Sequence, residues 1–133
     1  MRILYFALLI SLAVTSCNNK NEAIAGRLAV ADSAAINFYK GDGTMDSVVS
    51  VKIIRDKEQL KQLTGYVSSG STGNLKCGYD GSIHFFKANV VLQDIDFRMN
   101  DANCMHFSLL MAGKLYSTKL SAEAKQFLET VKK

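Results

Sequence analysis

Hydrophobic and polar positions divide the chain into three regimes. Residues 3–14 are apolar almost without interruption, broken by Ser11 and softened by Tyr5. Residues 18–22, Asn-Asn-Lys-Asn-Glu, are polar and carry no periodicity. Residues 23–30 are alanine-rich and fit either a tether or a short helix. From residue 36 onward apolar positions recur every second residue or at helical spacing, the mark of a folded domain. Ile36 and Phe38 alternate with Asn37 and Tyr39, and Val49, Val51 and Ile53 alternate with Ser50 and Lys52. The two runs predict strands joined across the Gly41-Asp42-Gly43-Thr44 turn. Asp56 then opens a helix. Its side chain can cap, Gln59 stands three residues on, and Leu60, Leu63 and Val67 share one face. Residues 68–74 are Ser/Gly-rich and predict a loop.

The second half alternates again. Ile83 and Phe85 bracket His84; Val91, Ile95 and Phe97 alternate with Leu92, Asp94 and Asp96; Met105, Phe107 and Leu109 alternate with Cys104, His106 and Ser108. Gly113-Lys114 predicts a tight turn into a strand over residues 115–119. Ser121 caps a last helix whose Ala124, Phe127, Leu128 and Val131 lie on one side. The order β-β-α-β-β-β-β-α predicts an α+β domain, a single antiparallel sheet of five to six strands with two helices on one face.

The N-terminus changes the setting of that domain. Arg2 and the terminal amine precede an apolar run too short to span a bilayer, which needs roughly 20 residues. A positive start, a short apolar run and small residues form the pattern of a secretory signal. Val14-Thr15-Ser16-Cys17 resembles the lipobox of bacterial lipoproteins, with Val14 in place of the commoner leucine. The resemblance implies cleavage after Ser16, thioether lipidation of Cys17 and acylation of the new amine, since one acyl chain anchors only marginally. By the same resemblance Asn18 beside the lipidated cysteine implies the outer membrane, on either side of it. The expected division is a signal at 1–16, lipidated Cys17 and tether at 17–30, and one α+β domain at 31–133. The Asn-rich tether resembles those of Bacteroidota lipoproteins, and separately the ordering of Cys77-Gly78-Tyr79-Asp80-Gly81, Cys104, Gly113-Lys114-Leu115-Tyr116 and Lys119-Leu120-Ser121 resembles uncharacterised small lipoproteins of Bacteroidota. That resemblance spans about the last half of the chain and implies no activity.

With Cys17 assigned to lipid, Cys77 and Cys104 remain. In an oxidising compartment such a pair predicts a disulfide, and no C-x-x-C offers a redox or zinc alternative. The pairing constrains the topology. In a strict meander the strands around Ile83 and Phe107 flank the one around Val91 and lie about 9.5 Å apart. A disulfide needs Cα atoms within roughly 4.4–6.8 Å. Cys77 is therefore expected to precede its strand and fold over the sheet end, with Gly78 and Asp80-Gly81 supplying the bends.

The net charge of +4 is dispersed. Arg55, Lys57 and Lys61 are interleaved with Asp56 and Glu58, which predicts a solvated helix face and no nucleic-acid surface. One constellation carries potential chemistry. If Phe86 pairs with Val90 and Asp96 with Cys104, Asp94 lies opposite His106 and His84 is diagonal to it, a set able to bind Zn²⁺ or act as an acid/base pair. Ordinary cross-strand polar pairing is the alternative, and a one-residue slip would reverse the face. Asp42, Thr44 and Asp46 resemble a Ca²⁺ loop but lack the closing bidentate Glu. No phosphate-binding, nucleophile-elbow or zinc-protease motif occurs, and no cofactor is implied. Tyr79, Phe85, Phe86 and Tyr116 predict core and sheet-surface aromatics, with Phe86 near Leu92 and Leu110 a candidate partner patch. The primary expectation is a non-catalytic envelope module that binds a protein or envelope ligand by a sheet face or the 68–74 loop. The alternatives are a metal-binding protein or enzyme using His84, Asp94 and His106, and an inhibitor of a secreted hydrolase.

Overall fold

The computed structural model describes residues 20–41, 45 and 47–133. The alternating segments form strands β1 (Ser33–Tyr39), β2 (Val48–Ile54), β3 (Gly81–Lys87), β4 (Val90–Arg98), β5 (His106–Met111) and β6 (Lys114–Lys119). Helix α1 (Lys20–Leu28) precedes them, α2 (Lys57–Val67) follows β2, and α3 (Ala122–Lys132) ends the chain. All six strands join one antiparallel sheet in the order β2-β1-β3-β4-β5-β6. This is the expected α+β architecture with one helix more. The helix caps follow the local chemistry: Asp56 accepts from the Gln59 amide at 2.9 Å and Ser121 from the Ala124 amide at 3.1 Å.

Each helix buries one stripe against the same sheet face. Ile24 and Leu28 of α1, Leu60, Leu63 and Val67 of α2, and Ala124 and Leu128 of α3 close over Ile36, Phe38, Ile83, Phe85, Ile95, Phe97 and Phe107. The segment expected to be tether up to residue 30 is thus part of the domain from Lys20 onward. Ile24 and Leu28, four residues apart, give it a buried face that its alanines obscure. Arg27 fastens the helix to β4, donating to Gln93 Oε1 at 2.7 Å and to the Leu92 carbonyl at 3.0 Å.

Two hairpins use two-residue turns with both residues at positive φ, the twist that matches antiparallel strands. They are Ala88-Asn89 (φ 50° and 64°) and Ala112-Gly113 (φ 52° and 76°). Ala88 tolerates that conformation because its amide is held by Asp32 Oδ2 at 2.8 Å. That bond, first among the causes, lowers the Asp32 carboxyl below its ordinary value.

The connection from α2 to β3 sets the rest. It passes the β6 edge, where Thr118 Oγ1 donates to the Val67 carbonyl at 2.7 Å and Ser117 Oγ to Asn74 Oδ1 at 3.0 Å. It then crosses the end of the helix-free face. Cys77 is bonded to Cys104 there, Cα to Cα 6.4 Å, and the Tyr79 ring lies 5.8 Å from that of His106. The pair closes as anticipated, with Cys77 ahead of its strand. A loop of that separation, 27 residues, is worth about 3.5 kcal/mol in chain entropy. The chain enters mid-sheet at Asp80-Gly81. A Cβ on Gly81 would run into the Asn37 carbonyl and the edge of the Phe97 ring.

Two substitutions test this account. Gly81→Ala is expected to cost about 3 kcal/mol, since neither the β1 backbone nor the buried ring can yield. Ala88→Gly is expected to gain about 1 kcal/mol by relieving the left-handed conformation, raising Tm by about 4 °C. Thermal and denaturant unfolding of both variants would check the opposite signs.

Candidate functional site

Alternate strand positions face away from the helices. Across this open face runs a polar seam contributed by the central strands: Asn37 from β1, Ser82 and His84 from β3, Asp94 and Asp96 from β4. The seam exists because Ser82 pairs with Asp96 and His84 with Asp94. Apolar side chains flank it. Val51 and Ile53 on β2 are 55% and 50% exposed, and Leu110 on β5 is 63% exposed.

The register differs from the expected one. A bulge between Phe85 and Phe86 sets Phe86 opposite Val91, and β4 meets β5 with Asp96 opposite Ser108 and Arg98 opposite His106. The slip against β5 is an even number of residues, so the faces are kept while the neighbours change. His84 and Asp94 become direct partners, their Nδ1 and Oδ1 2.6 Å apart. His106 pairs four residues farther along β4, about 13 Å from Asp94. It is fully buried under Tyr79 with Nδ1 donating to the Cys104 carbonyl at 2.6 Å. The three-residue set His84, Asp94 and His106 therefore does not converge. Among the described residues no group of three or more His, Cys, Asp or Glu side chains is arranged to hold a metal ion. Asp42, Thr44, Asp46 and Cys17 lie outside the described residues. The bulge also turns Val91, expected inward, to solvent, while Leu92 packs against the core.

The imidazole of His84 is oriented from both sides. A carboxylate at Nδ1 requires the N–H there; in the neutral imidazole Nε2 is then the acceptor facing Asn37 Nδ2 at 3.1 Å and Ser82 Oγ at 3.2 Å. Sequence inspection missed Ser82 and Asn37; the i, i+2 spacing of Ser82 and His84 was the available signal. Serine, histidine and aspartate in this order resemble a nucleophile, base and orienting acid. The surroundings oppose acyl transfer. Ser82 is 5% exposed, Asp96 stands directly opposite it, and ladder pairing occupies backbone donors on these strands. An oxyanion forming at Ser82 would meet a second carboxyl group rather than a pair of free N–H donors. The seam is built to attract positive charge.

Next to the seam the sheet opens. Cα pairing of β4 with β5 ends at Asp96 and Ser108, although both strands continue. Gln93 spans the gap, its Nε2 donating to the Leu110 carbonyl at 2.8 Å and the Asp94 carbonyl at 3.0 Å. The opening is a cleft of about 480 Å³, walled by Tyr79, Val91, Leu110 and Leu115, with Asp94 and Asp96 along one side and the polar Arg27, Gln93 and Ser108 also in its lining. Burial pushes the Asp96 carboxyl above its ordinary value; the Asp94 charge adds to this and His84 offsets part of it.

No family model, curated protein or solved structure matches the chain.

A carboxyl whose folded value lies above its unfolded value holds more protons in the folded state between the two. Stability therefore falls as pH rises from the unfolded value through the folded one. Asp96→Asn is expected to be more stable than the native chain at pH 7, with the difference closing as pH falls below about 4. Urea midpoints across that range would check it.

Proposed function

We propose that the chain is a lipid-anchored envelope protein whose open sheet face is a non-catalytic binding surface. Its partner would be a protein segment presenting a lysine or arginine side chain from apolar surroundings. The anchor rests on Val14-Thr15-Ser16-Cys17 and the short apolar run before it. The binding reading rests on one observation: Asp94 and Asp96 line a cleft together with the apolar side chains of Tyr79, Val91, Leu110 and Leu115, and the one cation in its lining, Arg27, is hydrogen-bonded to Gln93 and the Leu92 carbonyl. A long cationic side chain matches both, its methylene stem against Leu110, Leu115 and Tyr79 and its head between the carboxylates.

The test is titration of ¹⁵N-labelled protein with a Leu-Lys-Leu peptide and with its Leu-Glu-Leu counterpart. The lysine peptide is expected to shift resonances of residues 79, 94, 96 and 110; the glutamate peptide is not. Replacing Asp94 and Asp96 together by Asn should weaken the lysine peptide about tenfold, as befits hydrogen bonds to charged groups of about 1.5–3 kcal/mol. Affinity should rise with pH as Asp96 ionises, and Asp96→Asn should flatten that rise. Equal response to both peptides would defeat the charge-selective reading.

A further inference from the structure

The start of α1 fixes where a lipid on Cys17 must sit relative to the sheet. Only Asn18 and Asn19 separate Cys17 from Lys20, the first residue of α1. Three Cα-to-Cα steps reach at most about 11 Å. Lys20 in turn is tied to one edge of the sheet: its Nζ donates to the Ser117 carbonyl of β6 at 3.0 Å, and the neighbouring Asn21 Nδ2 donates to the Gly70 carbonyl at 3.0 Å. Lys20, Thr72, Gly73, Asn74, Lys114 and Ser117 line one shallow hollow along that edge. The edge is basic. Lys20, Lys114 and Lys119 lie on it and Lys76 ends the segment that passes it; the last three are exposed, residues 70–76 and 114–120 contain no acidic side chain, and Glu22 of α1 is the acidic residue nearest Lys20 in sequence.

From this juxtaposition we infer that the β6 edge, with residues 70–76, is a membrane-docking surface that rests on anionic lipid headgroups. The inference depends on the lipidation of Cys17 proposed above and adds the orientation of the domain. A short tether holds the lysines near the bilayer, and each lysine close to an anionic surface favours the docked state about fivefold. Docking by β6 stands the sheet upright. Edge strand β2 then lies five strand spacings away, about 24 Å out. Its exposed Val48, Val49, Val51 and Ile53 project clear of the lipid.

The experiment uses the full lipidated chain in phosphatidylglycerol/phosphatidylethanolamine vesicles, with a fluorophore on Gly73→Cys or on Val51→Cys. A Cβ at Gly73 meets no heavy atom within 4 Å, so the label is accommodated. Quenching by lipids carrying a spin label in the headgroup region is expected to be strong at position 73 and weak at 51. Replacing Lys76, Lys114 and Lys119 by Gln, or using phosphatidylcholine vesicles, should reduce the contrast. Equal quenching at the two positions on a chain shown by mass spectrometry to carry lipid would overturn the docking and leave the anchor standing. An unmodified Cys17 thiol in the same spectrum would overturn the anchor and the docking with it.

Discussion

The carboxylate of Asp80 is the constraint on which the open face depends. It is 1% exposed and takes three donors: Arg98 Nη1 at 3.0 Å, the Met99 amide at 2.7 Å and the Asn100 amide at 2.9 Å. Its own backbone joins the sheet on both sides, accepting from the Tyr39 amide and donating to the Phe97 carbonyl, each at 2.8 Å. A chain arriving from the β6 edge is thereby inserted between β1 and β4. Breaking such a buried pair from one side leaves an uncompensated charge, a loss of about 3–5 kcal/mol. The Gly81 that follows admits the Phe97 ring, and the disulfide three residues earlier holds the approach. Tyr79 stands between these two fixings, so its position as a wall of the cleft is set by the same interactions that order the strands.

The crossing also explains why a face without helices buries polar residues. His106, Ser108 and Ser117 are each at most 5% exposed. The connection lies over β5 and β6: its Asn74 accepts from Ser117, and its Tyr79 packs against His106, whose Nδ1 donates to the Cys104 carbonyl of the loop before β5. Beyond its reach the face is bare, and there the seam and the cleft appear. The site is the part of the sheet that the connecting segment leaves uncovered.

Much of the fold was legible in residue pattern. Period-two runs located the strands, the caps at Asp56 and Ser121 located two helices, and the distance requirement of a disulfide placed Cys77 before β3. What period two cannot report is register. The strands β4 and β5 are joined by residues 99–105, and the amides of 99 and 100 are tied to Asp80. A shift by an even number of residues leaves every side chain on its face, so the hydrophobic pattern is equally satisfied while Asp94 changes partner from His106 to His84. The bulge at Phe85/Phe86 is a one-residue event with the opposite effect: it reverses the faces of Val91 and Leu92, two apolar residues whose identities do not distinguish inside from outside. Helix α1 was hidden because a stripe of only Ile24 and Leu28 among alanines is compatible with a tether until its buried partners are known.

Charge on the domain is arranged by face rather than spread evenly. The carboxylates of the seam sit on β4, two strand spacings from β6, and the His84 partner sits on β3, three spacings away. Those are about 10–14 Å, at or beyond the Debye length of about 8–10 Å near physiological ionic strength. The lysines of the β6 edge therefore leave the field at Asp94 and Asp96 largely intact. Of the nearer cations, Arg98 is engaged by Asp80, and Arg27, which lines the cleft, donates to Gln93 and the Leu92 carbonyl. The proposed lipid-docking edge and the proposed cation-binding cleft can then coexist on one small sheet. Neither neutralises the other, because the distance between them is set by the number of strands and the Arg98 charge is already taken by the residue that orders them.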